Sequence, residues 1–160
     1  MKLKKLYFPE VSPTHYWEYW DNDDGSFTTH WGELGTEGDC NTVSRKFLKS
    51  AKSQIAQLEK EFIAKGYTEI EFEDQKVLLI EYIVDGFGTE EELQKRHSLQ
   101  DLMNDVIGWT GLGHCDGGSS GSGFMEVCCF VVDFDVAKRV VSEQLKGTVF
   151  SDYSRIYIEQ

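Results

Sequence analysis

An α+β chain in two parts is what this sequence predicts, and three observations carry that reading. Aromatic, strand-forming runs crowd residues 15–31, an apolar repeat at helical spacing follows, and beyond residue 75 strands and helices alternate. At 160 residues the chain has room for one ordinary domain or two small ones. A hydrophilic junction from Glu69 to Gln75 sets the expected domains at 1–70 and 76–160.

The first part opens on Tyr16-Trp17-Glu18-Tyr19-Trp20 and Ser26-Phe27-Thr28-Thr29-His30-Trp31, both rich in β-forming residues. Between them Asp21-Asn22-Asp23-Asp24-Gly25 has the composition of a turn whose Asn and Asp bond their own backbone, so the pair reads as a β-hairpin. An EF-hand calcium loop does not fit, because counting from Asp21 or Asn22 puts Ser26 or Phe27 where the sharp turn needs glycine. Three glycines in the run Trp31-Gly32-Glu33-Leu34-Gly35-Thr36-Glu37-Gly38 mark a sharp bend, and no Gly-Lys-Ser/Thr follows to make a phosphate loop. Phe47, Leu48, Ala51, Ile55, Leu58 and Phe62 then recur at three- and four-residue steps as one buried helical stripe, with Ser44 as its cap and Gly66 past its end.

Aromatic hairpin, Trp31-Gly32-Glu33-Leu34-Gly35-Thr36-Glu37-Gly38, and an amphipathic helix ending Lys65-Gly66-Tyr67: in this order the residues resemble a WGR domain over about residues 3–70. That module occurs in some poly(ADP-ribose) polymerases and in various bacterial proteins. The resemblance implies a small antiparallel sheet with one helix and a role at DNA ends, with the motif's Trp and Arg in DNA or inter-domain contacts. Trp31 matches the Trp, whereas the Arg position holds Glu33, which repels phosphate where arginine attracts it. Read from the residues themselves, Arg45, Lys49 and Lys52 form a basic stripe on the outer face of the expected helix, beside Lys46.

In the second part Lys76 to Val84 is a nearly continuous apolar strand of the kind found at the centre of a sheet. A helix follows with Leu99, Leu102, Met103, Val106 and Ile107 on one side; Thr89 with Glu92, or more loosely Ser98 with Asp101, has the spacing of its N-terminal cap. Trp109 to Asp116 reads as a second strand, Gly117 to Gly123 as a flexible connection, and Phe124 to Val132 as a third strand. A helix bearing Val136, Ala137, Val140, Val141 and Leu145 comes next, and Val149-Phe150 with Ile156-Tyr157-Ile158 supplies the last extended stretch. The order βαββαβ is the ferredoxin-like split pattern, with both helices on one face of the sheet and the other face open.

Alternation assigns the open face. Met125, Val127, Cys129 and Val131 belong beneath the helices, which leaves Phe124, Glu126, Cys128 and Phe130 to share the open face with Val77, Leu79, Glu81 and Ile83. Six of those eight are apolar, too many for a face left in water, so cover is expected from the first domain, a second copy or a partner. Glu81 and Glu126 are the two carboxylates there; they fit either an acid–base pair raised by burial or rim positions that reach water.

Composition narrows the chemistry. Acidic residues outnumber basic ones 28 to 16, and the excess is uneven: residues 1–70 carry 9 Lys/Arg against 11 Asp/Glu, residues 71–160 carry 7 against 17. The second part therefore repels phosphate backbones. Cys40, Cys115, Cys128 and Cys129 contain no C-x-x-C pair, and Cys128 and Cys129 read as small buried hydrophobes. His114 and Cys115 diverge if extended, leaving His114 opposite Cys128 as the one Cys–His pairing to consider. His15, His30, His97 and His114 share no metal-ligand spacing, and the glycine runs join strand to strand rather than strand to helix. No catalytic residue, metal or cofactor is expected.

The reading predicts a non-catalytic bacterial binding protein acting through protein–protein contacts, of an immunity or regulatory kind, by analogy with small acidic proteins that block basic active sites by mimicking phosphate. Its contact or interface residues are Leu79, Glu81, Glu126, Cys128 and Phe130. One alternative is a nucleic-acid-binding accessory using Trp31, Arg45, Lys49 and Lys52 in the first domain only; another is a small enzyme with Glu81, Glu126 or His114 in an open-sheet pocket. A cytoplasmic setting is expected from the cysteines and from the lack of an apolar leader or span, with no membrane contact and a homodimer as a further option.

Overall fold

The computed structural model describes residues 3–159 and divides into two compact units, Met1–Glu71 and Phe72–Gln160. Among the described residues no helix is long and apolar enough to cross a membrane.

The first unit is a four-stranded antiparallel meander, β1 (Leu3–Phe8), β2 (His15–Asp21), β3 (Phe27–Glu33) and β4 (Asp39–Val43), followed by helix α1 (Ala51–Ala64). Side chains alternate across each strand, so Leu6, Trp17 and Tyr19 share the face that packs on Ala51 and Ile55 of the helix. Trp17 is sealed there by a stacking contact with Phe62 at 4.6 Å. In the β2–β3 turn the Asp21 and Asp24 carboxylates each accept a backbone N–H two residues on, from Asp23 and Ser26, both at 2.9 Å.

The helix begins later than its apolar repeat predicts. Ser50, not Ser44, is the N-cap, its hydroxyl accepting the Ser53 N–H at 3.1 Å. Upstream, Lys46 and Lys49 exchange backbone hydrogen bonds of 3.0 and 2.8 Å, which closes a tight turn with Phe47 at φ +46°. Phe47 and Leu48 therefore leave the buried stripe and stand 99% exposed at the turn's tip. The same turn breaks the expected basic stripe, since Arg45 and Lys49 lie outside the helix and only Lys52 is on it. The spacing Phe47–Ala51–Ile55 is helical, but the cap at Ser50 offers the backbone a cheaper start.

The second unit contains β5 (Lys76–Ile83), α2 (Glu90–Trp109), β6 (Gly113–Gly121), β7 (Phe124–Val131), α3 (Phe134–Leu145) and β8 (Arg155–Ile158). Its antiparallel sheet has the order β6-β7-β5-β8, the ferredoxin-like arrangement, with β5 and β7 central. Thr89 and Glu92 form the capping box that starts α2, and the Asp133 carboxylate caps α3. Leu78, Ile80, Met103, Val127, Cys129 and Val141 meet in the core with no exposure.

Three boundaries differ from the sequence reading. Trp109 closes α2 rather than opening a strand, and β6 runs through the glycine-serine stretch expected to be a flexible connection. Strand pairing uses backbone groups, so Gly and Ser pair with β7 without an apolar signal; a register shift between Cys115 and Gly118 absorbs the irregularity. At Gly118 a Cβ would lie 2.1 Å from the Glu126 carbonyl oxygen, so this close approach of two strands requires glycine. Val149 and Phe150 sit in a turn, leaving only Arg155–Ile158 as the last strand.

Candidate functional site

Register places the open face of the second sheet in rows across the strands. Glu81 on β5 is directly opposite Glu126 on β7, with Arg155 of β8 beyond Glu81 and Ser119 of β6 beyond Glu126. Two like charges in that relation repel, and the structure resolves the repulsion by giving each carboxylate its own donors. Arg155 grips Glu81 with two bonds, Nε to Oε1 at 3.0 Å and Nη2 to Oε2 at 2.7 Å, and the Ser154 hydroxyl adds a third at 2.6 Å. Glu126 accepts the Ser119 hydroxyl at 3.0 Å and the Tyr157 hydroxyl on its other oxygen. Arg155 also lies over the Tyr157 ring, 4.0 Å from its centroid, so the two donors brace each other.

The carboxylates are thus not at a solvated rim, and each is held by its own donors. Both are only 8% exposed and sit on the two central strands. The bonds from Arg155 and Ser154, against a smaller opposing effect of burial, hold the Glu81 carboxyl below the usual carboxylate range. An acid–base pair needs one raised carboxyl, and Glu81 moves the other way. Tyr157 is pushed up to about 12 by its bond to Glu126, with burial adding to the effect, so it stays a donor.

Apolar rows flank this polar one. On one side lie Leu79 and Cys128, paired by register, and beyond them Val77, Phe130 and His114. Phe72, in a short 3-10 turn before β5, packs on Phe130 at 4.7 Å, and His114 stacks on the same ring at 5.4 Å. On the other side Phe124 faces Ile83, which is 70% exposed. All five residues expected at an interface, Leu79, Glu81, Glu126, Cys128 and Phe130, therefore do lie together on one face.

The His114–Cys128 pairing is not made. Register sets His114 opposite Phe130 and Cys115 opposite Cys129, and burial pushes the Cys128 thiol up to about 11, with nearby negative charge adding to it. A protonated thiol is a poor nucleophile. Two grooves of about 320 Å³ each lie elsewhere, one lined by Lys46, Lys49, Gln54 and Gln57, the other by Phe87, Glu90, Leu93 and Met125.

Compared with protein-family models, curated proteins and solved structures, the chain gives no match.

The residues expected to meet nucleic acid are dispersed over different elements. Trp31 is partly exposed on β3 opposite Trp17 and Asp39, whereas Arg45 and Lys49 flank the 46–49 turn and Lys52 opens α1. One cluster in this unit escaped the sequence reading. His30 Nδ1 meets Glu18 Oε1 at 2.7 Å, His30 Nε2 meets the Glu37 carbonyl at 2.5 Å and the Tyr16 hydroxyl at 3.0 Å, and Lys5 reaches the other Glu18 oxygen at 3.1 Å. The signal was present: Glu18 and His30 are polar residues set among the aromatics of two strands joined by a short turn, which register makes direct neighbours.

Tyr157→Phe probes the polar row with little change of shape. It leaves one Glu126 oxygen without its donor, so urea unfolding is expected to show a loss of about 2 kcal/mol, the scale of a hydrogen bond to a charged group. An unchanged midpoint would mean that the hydroxyl does not hold Glu126.

Proposed function

We propose that this chain is a non-catalytic protein-binding module whose contact surface is the open face of the second sheet. The observation that carries the reading is the pairing of a fully bonded polar row, Ser119–Glu126–Glu81–Arg155, with flanking apolar side chains that remain accessible, Ile83 and Phe72 foremost. Side chains tied up in mutual bonds serve shape and register better than proton transfer, and exposed apolar groups around them are what a partner buries. Residues 71–160 carry 17 acidic against 7 basic side chains, so the surface favours a partner with a basic face and disfavours nucleic acid. An immunity or regulatory role fits this chemistry by analogy. The WGR-like reading of the first unit is supported by its four-stranded meander, its single helix and the tight glycine loop after Trp31.

The test is capture from the native host with the whole chain as bait, comparing wild type with an Ile83→Glu/Phe72→Glu double variant and with Val149→Glu, another exposed apolar site. Partners that bind wild type and Val149→Glu but fall at least about tenfold with the double variant support the face, given that an apolar contact residue can contribute more than 1.4 kcal/mol. Equal recovery with all three would place binding elsewhere.

A further inference from the structure

The turn between β4 and α1 is built unlike the rest of this acidic chain. From Cys40 to Leu58 there is no Asp or Glu, and Arg45, Lys46, Lys49 and Lys52 fall within eight residues. At the centre of that stretch Phe47 and Leu48 project into solvent, each 99% exposed. Single exposed apolar residues are ordinary, but here two adjoin on a backbone held in a demanding conformation. Phe47 takes φ +46°, the Lys46–Lys49 backbone bonds clamp the turn, and the Gln54 side-chain amide donates to the Ser44 carbonyl at 2.8 Å to pin its base. The apolar pair is therefore presented on a fixed support.

Position decides what such a tip fits. Arg45 and Lys46 precede the two apolar residues along the chain and Lys49 and Lys52 follow them, so basic residues bracket the tip on both sides. A complementary surface must offer negative charge at the level of the legs and apolar depth beneath. An anionic bilayer has that order, with phosphates above acyl chains. Nucleic acid supplies phosphates and flat bases, which can stack on Phe47 but leave Leu48 without an apolar floor. Lys46 and Lys49 also border a groove of about 320 Å³ with Asn41, Gln54 and Gln57, whose ammonium and amide groups suit a headgroup phosphate, while Glu61 at the same groove opposes it.

We propose that the Phe47–Leu48 turn is a membrane-docking tip that inserts into the interface of an anionic bilayer while Arg45, Lys46, Lys49 and Lys52 bind lipid phosphates. Attachment of this kind is peripheral and reversible, because it combines one short apolar insertion with a basic cluster and because the acidic second unit is repelled by the same surface. The sequence expectation of no membrane contact rested on the lack of an apolar leader or span, and it separately placed Phe47 and Leu48 in the buried helix stripe; the structure exposes both.

The experiment is co-sedimentation of the full chain with vesicles of phosphatidylcholine alone and of phosphatidylcholine with phosphatidylglycerol. Binding is expected only to the anionic vesicles. It should weaken about tenfold or more in Phe47→Ala/Leu48→Ala, and by roughly fivefold per charge in Lys46→Gln and Lys49→Gln. Because both tip side chains lie in solvent, urea midpoints of these variants should match wild type, which separates lost docking from lost folding. In Phe47→Trp the indole emission should shift to the blue on adding anionic vesicles. Failure to sediment, or sedimentation indifferent to Phe47→Ala/Leu48→Ala, overturns the proposal. So does binding to a short DNA duplex that needs the lysines but not Phe47 and Leu48, which would assign the turn to nucleic acid.

Discussion

Gly38→Ala is expected to destabilise the first unit by about 3–5 kcal/mol, measured by urea unfolding, whereas Gly25→Ala in the neighbouring turn should cost only about 1–2 kcal/mol. Both glycines have positive φ, +62° and +84°, so both substitutions carry the left-handed backbone penalty. They differ in what a methyl group would meet. At Gly25 nothing lies within 4 Å, but at Gly38 the new Cβ would fall 2.2 Å from the Trp31 carbonyl oxygen and 2.6 Å from the Tyr16 hydroxyl. Neither obstacle can retreat cheaply. Trp31 is on a paired strand, and the Tyr16 hydroxyl is bonded to the Thr36 carbonyl and to His30. Equal losses for the two variants would show that backbone conformation alone, not the close approach, dictates the glycine in the Trp31–Gly38 loop.

Glu18→Gln should lower stability by about 3–4 kcal/mol at pH values below 6.5 and flatten the dependence of stability on pH above it. Glu18 and His30 are 3% and 1% exposed, and Lys5 completes the cluster. Both ring nitrogens of His30 face acceptors, a carboxylate at Nδ1 and a carbonyl at Nε2, so the geometry calls for the doubly protonated ring. Burial works against that charge, but the bonds to Glu18 and Glu37 and the Glu18 charge outweigh burial and the repulsion from Lys5, and the His30 pKa ends above its ordinary 6.5. A raised pKa in the folded state means the native chain holds a proton that the unfolded chain releases. The stabilisation is therefore complete below 6.5 and drains away as pH rises through the folded value. Urea midpoints collected as pH rises from below 6.5 should fall for wild type; in Glu18→Gln, where the attraction is gone, the fall should shrink. A wild-type midpoint that climbs with pH would contradict a charged His30.

Much of the candidate face was legible because a strand has a period of two. Once Val127, Cys129 and Val131 are recognised as core, Glu126, Cys128 and Phe130 have only one other side to occupy, and the structure puts them there. The partners were hidden for the complementary reason. Arg155, Tyr157 and Ser119 lie 74, 31 and 7 residues from the carboxylates they bind, and only strand order and register bring them near. Ser119 belongs to a strand of Gly and Ser that carries no apolar period to read. The 46–49 turn misled for a third reason, because Phe47 and Leu48 continue the helical spacing while the Ser50 cap and the Lys46–Lys49 bonds reverse the chain.

The row Ser119–Glu126–Glu81–Arg155 also bears on how the sheet finds itself. Sliding β7 along β5 by two residues would keep every core side chain under the helices, so the hydrophobic pattern alone tolerates the slip. It would, however, set Glu126 against Leu79 or Ile83 and carry it away from Tyr157, stranding a carboxylate among apolar groups. Moving β8 does the same to Glu81 by withdrawing Arg155 and Ser154. The polar row acts as a ratchet tooth: it penalises near-miss alignments that the greasy residues around it would accept, and only one alignment of β5, β7 and β8 leaves both carboxylates satisfied.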